Sequence, residues 1–194
     1  MAQRLCLDAE ALLAAVAPLL QQMGDMQGFQ YPVNLSVEAL NDFSSELLEV
    51  PADLRQLKGG MRKLTVENTH GGKREMPEWL GEHVHLENLY LKGPVGVLPT
   101  FISQLTLLEI LRIENCSALR EMSSSLGDLQ ALKHLSLKDI KGLAALPASF
   151  DRLTSLETLH ILECHALWEL PSSIGTLTQL RNLTVIRSVL TDVP

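Results

Sequence analysis

The chain has 194 residues, 16 Lys plus Arg against 23 Asp plus Glu for a net charge of −7, and 40 leucines, while aromatics supply only 4%. A chain of this length buries most of its apolar surface as one or two domains, which argues against disorder. The acidic balance, without a block of five like charges, argues against a sequence-independent grip on nucleic acid, and no apolar run approaches the roughly 18 residues of a membrane span. Met1 to Gln30 lacks the ordered basic, apolar and small-residue zones of a secretory signal. Cys6, Cys116 and Cys164 are too few and too scattered for a disulfide framework. The expectation is a soluble chain in a reducing compartment.

In chain order, the first predicted element is a helix from Asp8 to Met26. Leu12, Val16, Leu19, Leu20 and Met23 form its apolar stripe, Asp8 is its N-cap, Gly24 or Gly28 its stop, and Pro18 kinks it. Leu35 and Val37 begin a first, atypical strand. Residues 1–42 are therefore expected to be a helical cap and entry segment that covers the apolar N-terminal edge of residues 43–194.

From residue 43 the chain repeats itself. Val50-Pro51, Met76-Pro77, Leu98-Pro99, Leu146-Pro147, Leu170-Pro171 and Val193-Pro194 recur, with Met122-Ser123 filling the gap, at steps of 26, 22, 24, 24, 24 and 23 residues. A period near 24 lies in the range of leucine-rich repeats. Leu156, Leu159, Ile161, Cys164, Leu167, Leu170, Pro171, Ile174 and Leu177 define the apolar template of one unit. Leu132, Leu135, Leu137, Ile140, Leu143, Leu146, Pro147, Phe150 and Leu153 repeat it in the unit before. A Gly71-Gly72-Lys73-Arg74 insertion in an earlier unit reads as a surface loop. Residues 43–194 thus hold about six units of about 24 residues, the last incomplete at Pro194.

Within each unit a pair such as Leu64/Val66, Leu111/Ile113 or Leu159/Ile161 alternates with polar residues, the period-2 pattern of a half-buried strand. The returning half contains a proline that cannot donate a ladder bond and often a glycine, so it is a short helical or extended turn. One such coil cannot bury its apolar face alone. Stacking is required, and the predicted fold is an α/β repeat solenoid with a concave parallel sheet and short helical or 3-10 returns on the convex side. Seven strands at ~4.8 Å spacing give a sheet roughly 30 Å across.

Asn115-Cys116-Ser117-Ala118-Leu119 and the run from Glu163-Cys164-His165-Ala166-Leu167 through Leu170-Pro171-Ser172-Ser173-Ile174-Gly175 resemble the repeats of plant intracellular immune receptors. The same style is similar to that of leucine-rich-repeat type III effectors of plant-pathogenic Xanthomonas, the outer proteins L and AE, over roughly residues 43–194. In those effectors a repeat domain accompanies a separate ubiquitin-ligase module. The resemblance implies a virulence protein, delivered by a type III system into the host cytoplasm, whose repeats bind a host protein. It equally admits the substrate-recruiting domain of a larger ubiquitin ligase, or a fragment of a plant receptor. Any ligase chemistry would then reside in a module absent from this chain.

Strand residues facing away from the core form three columns, the surface such scaffolds use for binding. The first is Asn34, Lys63, Asn88, Ile110, His134, Thr158 and Asn182; the second Ser36, Thr65, Tyr90, Arg112, Ser136, His160 and Thr184; the third Glu38, Glu67, Lys92, Glu114, Lys138, Leu162 and Ile186. The expected protein-binding residues are Tyr90, Ile110, Arg112, His134, His160, Leu162 and Ile186, because they give the later half apolar and aromatic character.

The rest reads as structure. His83 and His85 are spaced to share one face of a strand, but no third ligand or carboxylate stands at a zinc or nucleophile offset. Cys116 and Cys164 fill a buried template position ~10 Å apart, beyond disulfide reach. Trp79 and Trp168, in the returning segments, are expected to pack over the core. Gly59-Gly60 and Gly71-Gly72 lack the lysine-hydroxyl pair of a phosphate loop, and Gly93-Pro94-Val95-Gly96 reads as a turn. No catalytic, cofactor-binding or metal site is expected.

Overall fold

In a computed structural model of the chain, the structure describes residues 34–36, 62–67, 78–93 and 95–188. Seven strands lie in chain order in one parallel sheet: β1 (Asn34–Ser36), β2 (Lys63–Glu67), β3 (Asn88–Lys92), β4 (Ile110–Glu114), β5 (His134–Lys138), β6 (Thr158–Leu162) and β7 (Asn182–Ile186). Each strand pairs in register with the next, Leu111 opposite Leu135 and Leu135 opposite Leu159, so every coil repeats its neighbour's placement. The helix expected over Asp8–Met26, the insertion at Gly71–Arg74 and the chain's last residues lie outside the described residues, as do Cys6 and Glu38.

The returns are single 3-10 turns, at Glu78–Glu82, Thr100–Gln104, Ser124–Asp128, Ala148–Arg152 and Ser172–Thr176. Pro99, Pro147 and Pro171 stand immediately before three of them, with φ between −71° and −60°. Proline's ring presets that angle, and its missing N–H costs nothing at a helix entry. Ser123 takes the same place before the turn at Ser124–Asp128 by another means: its Oγ accepts from the Ser125 N–H at 3.2 Å, a side-chain cap in place of a rigid ring.

Just beyond each of β3 to β7 the chain turns through a left-handed residue: Gly93, Asn115, Asp139, Glu163 and Arg187 all have positive φ. The turn carries the ladder one residue further, since Asn115 N–H donates to the Lys138 carbonyl at 3.0 Å and Asp139 N–H to that of Leu162 at 2.9 Å. The next template residue then points inward. Cys116 and Cys164 are fully buried there, and each thiol reaches a strand-end carbonyl, Glu114 O at 3.4 Å and Leu162 O at 3.6 Å. Burial pushes the Cys116 thiol up to about 11 and raises that of Cys164 as well.

The core is one continuous column of template residues between sheet and returns, among them Leu111, Leu135, Leu137, Phe150, Leu159 and Ile161. Its far end is less covered: Leu183 of β7 is 40% exposed, whereas Leu159, its register partner, is at 0%. Two expectations need correction. His83 and His85 lie in the turn between Glu78–Glu82 and β3, not on a strand, with His83 buried and His85 exposed. Trp168 covers the core only in part, for half of its surface faces solvent. The template positions beside it, Leu167 and Leu170, are fully buried.

Candidate protein-binding surface

The strand pairing joins the columns expected from alternation. Asn88, Ile110, His134 and Thr158 follow one another across β3 to β6; Tyr90, Arg112, Ser136 and His160 form the second row; Lys92, Glu114, Lys138, Leu162 and Ile186 form the third. Side chains between them are buried, as the alternating exposure of β3, β4, β5 and β6 requires.

Five of the seven residues singled out from the sequence, Tyr90, Ile110, Arg112, His134 and His160, surround a hollow of about 310 Å³. Tyr90, Ile110 and Arg112 also border a second hollow of about 200 Å³ toward Lys63 and Thr65. Leu162 and Ile186 lie outside both hollows and stand opposite each other on β6 and β7. Of that pair only Ile186 is an exposed apolar side chain; Leu162, like Ile110, is half-buried.

Electrostatics organise the middle of this surface around a residue outside the seven expected ones. Glu114 accepts from Lys138 Nζ at 2.8 Å through Oε1 and from the Tyr90 hydroxyl through Oε2. The hydrogen bond from Lys138, followed by that from Tyr90, holds its carboxyl below the usual carboxylate range, and the same contact raises the Lys138 ammonium. The signal for this cluster was the third column, where Lys92, Glu114 and Lys138 alternate in sign on adjacent strands. Arg112 is exposed at the join of the two hollows and makes no hydrogen bond or ion pair among the described residues.

Other chemistry is sparse. Among the described residues no group of three or more His, Cys, Asp or Glu is placed to hold a metal ion. No described helix is long and apolar enough to cross a membrane.

Residues 103–194 match the family model described as "Leucine-rich repeat region". No curated protein matches the chain in sequence. Among solved structures, a leucine-rich-repeat protein of Leptospira interrogans is similar at a TM-score of 0.53 and 20% identity, with 92% of this chain covering 59% of that one. The leucine-rich repeat domain of the type III effector XopL, from Xanthomonas, is similar at a TM-score of 0.55 and 20% identity, with 92% of this chain covering 75% of that one. The chain thus spans little more than half of the Leptospira protein and three quarters of the effector domain. In register, period, return geometry and these likenesses alike, the chain has the fold of a leucine-rich-repeat solenoid, and residues 103–194 match the repeat family itself.

Proposed function

We propose that this domain is a non-enzymatic scaffold that binds a protein partner on its concave face, as the repeat domain of a bacterial effector acting inside a plant host cell. The observation that carries the reading is the gathering of Tyr90, Ile110, Arg112, His134 and His160 around one hollow, beside the Leu162–Ile186 pair. Aromatic and Arg side chains are the ones that most often anchor protein interfaces. The likeness to the XopL repeat domain supports the effector setting, as does the repeat style of the Cys164-to-Gly175 run.

Changing His160, Leu162 and Ile186 together to Glu should abolish partner capture from plant-cell extract while lowering the melting temperature by no more than a few degrees. Capture that survives the triple change would remove the concave face from the reading. The resemblance of the repeats to effectors that carry a separate ubiquitin-ligase module raises a second setting, in which the domain recruits substrates for such a module on a longer product. A ubiquitination assay on this chain should then be blank and one on the longer product active.

A further inference from the structure

The concave face is more basic than the molecule that bears it. Its three columns, as read from the sequence, hold Lys63, Lys92, Arg112 and Lys138 against Glu38, Glu67 and Glu114, a net +1, whereas the whole chain carries −7. Glu114 is already committed to Lys138 and Tyr90. Arg112 has no such partner among the described residues, is exposed, and borders both hollows. A guanidinium is a planar fork that takes a carboxylate through two parallel hydrogen bonds, and here its register partner on β3 is Tyr90, with half-buried Ile110 two residues before it on β4.

We infer that the concave face binds an acidic segment of its protein partner, with an Asp or Glu side chain seated on Arg112 and an aliphatic side chain against Leu162 and Ile186. The inference rests on the reading of this face as the protein-binding surface. Geometry sets the spacing. Arg112 and Leu162 are two strands and one column step apart, ~12 Å, which three or four extended residues span. The charge sets the sign, because an acidic chain with a basic face draws an acidic partner to that face and repels it elsewhere.

The test is selection of a random dodecapeptide phage library on the immobilised full chain, wild type beside Arg112→Glu. Wild type should enrich peptides with Asp or Glu three or four residues from Leu, Ile or Val, and Arg112→Glu should turn the acidic position basic. For a selected synthetic peptide, Arg112→Gln or replacement of the peptide acid by its amide should each weaken binding at least about tenfold. Unchanged melting temperatures show that these variants remain folded. Selected peptides without acidic bias that fail on the His160, Leu162 and Ile186 triple variant overturn the inference and leave the concave-face reading standing. Peptides indifferent to every concave substitution, or no enrichment at all, overturn both. A U12 oligoribonucleotide that displaces the peptides at comparable affinity also overturns the inference, because the basic face would then be serving phosphate.

Discussion

Lys138 Nζ lies 2.8 Å from one carboxylate oxygen of Glu114, and the Tyr90 hydroxyl donates to the other, so β3, β4 and β5 converge on a single charge. Both donors favour the ionised form and depress the folded pKa, Lys138 most. A depressed carboxylate stabilises the fold above its unfolded value of ~4.3, and that contribution is lost as pH falls through the folded value. An NMR titration of the Glu114 carboxyl carbon should give a midpoint below that of an unfolded-chain Glu. Lys138→Met should move it up more than Tyr90→Phe does, and an unshifted midpoint in the wild type would refute the convergence.

Buried thiols have the opposite sign. The Cys116 thiol, raised by burial to about 11, favours the neutral form in the fold, so its contribution is complete below the unfolded value of ~8.5 and fades as pH approaches 11. Urea-unfolding free energies should fall over that window, and Cys116→Val should flatten the fall. Iodoacetamide at pH near 8 should label Cys116 and Cys164 only once denaturant is present. Labelling of either in the native protein, read by peptide mass spectrometry, would contradict the burial.

Gly127 and Gly175 occupy the same step of returns two coils apart, yet their surroundings differ. A Cβ on Gly127 would lie 2.3 Å from the Ser149 carbonyl oxygen, a backbone atom that cannot swing away, whereas one on Gly175 meets nothing within 4 Å. Gly127→Ala should cost ~2–3 kcal/mol as an overpacked site, and Gly175→Ala should change stability by less than ~1 kcal/mol. Paired urea titrations decide it, since equal costs would mean the returns do not stack as described.

These glycines show where sequence reading stops. The period of 24, the alternation of Leu135 and Leu137 with His134 and Ser136, and hence the three columns were all legible, because burial on one face leaves a one-dimensional trace. Contacts between coils leave none on their own: Leu126-Gly127 does not tell how tightly Gly127 is pressed against Ser149, 22 residues on in the next return. His83 and His85 misled because alternation over two residues fits a turn as well as a strand. Trp168, expected as a cover over the core, is left half in solvent beside the fully buried Leu167 and Leu170. The Glu114 cluster was visible only as alternating signs down a column, a pattern that needs the strand register before it acquires meaning.

Glu163 holds a left-handed conformation, φ 58°, that Asn115 adopts in an equivalent turn. Asn tolerates that region better than Glu, and the Glu163–Arg187 pair, 2.8 Å apart on an exposed edge, gives little back. Glu163→Asn should therefore raise stability by ~0.5 kcal/mol, and Glu163→Val should lower it by ~1–2 kcal/mol. A chemical-denaturation midpoint that moved the other way for Asn would show that the ion pair outweighs the backbone.

Leu132 and Leu156 occupy one station of successive coils, both fully buried, and the strands after them join the sheet in the same register. Excising residues 133–156, 24 in all, would seat β6 against β4 with each remaining strand leucine meeting the type of neighbour it had before. The gripping surface would lose the side chains of His134, Ser136 and Lys138, and the convex side one return. Whole-coil duplication or loss can thus rewrite what the hollow recognises while leaving the grease behind it matched, so recognition and foldedness are free to evolve on separate schedules.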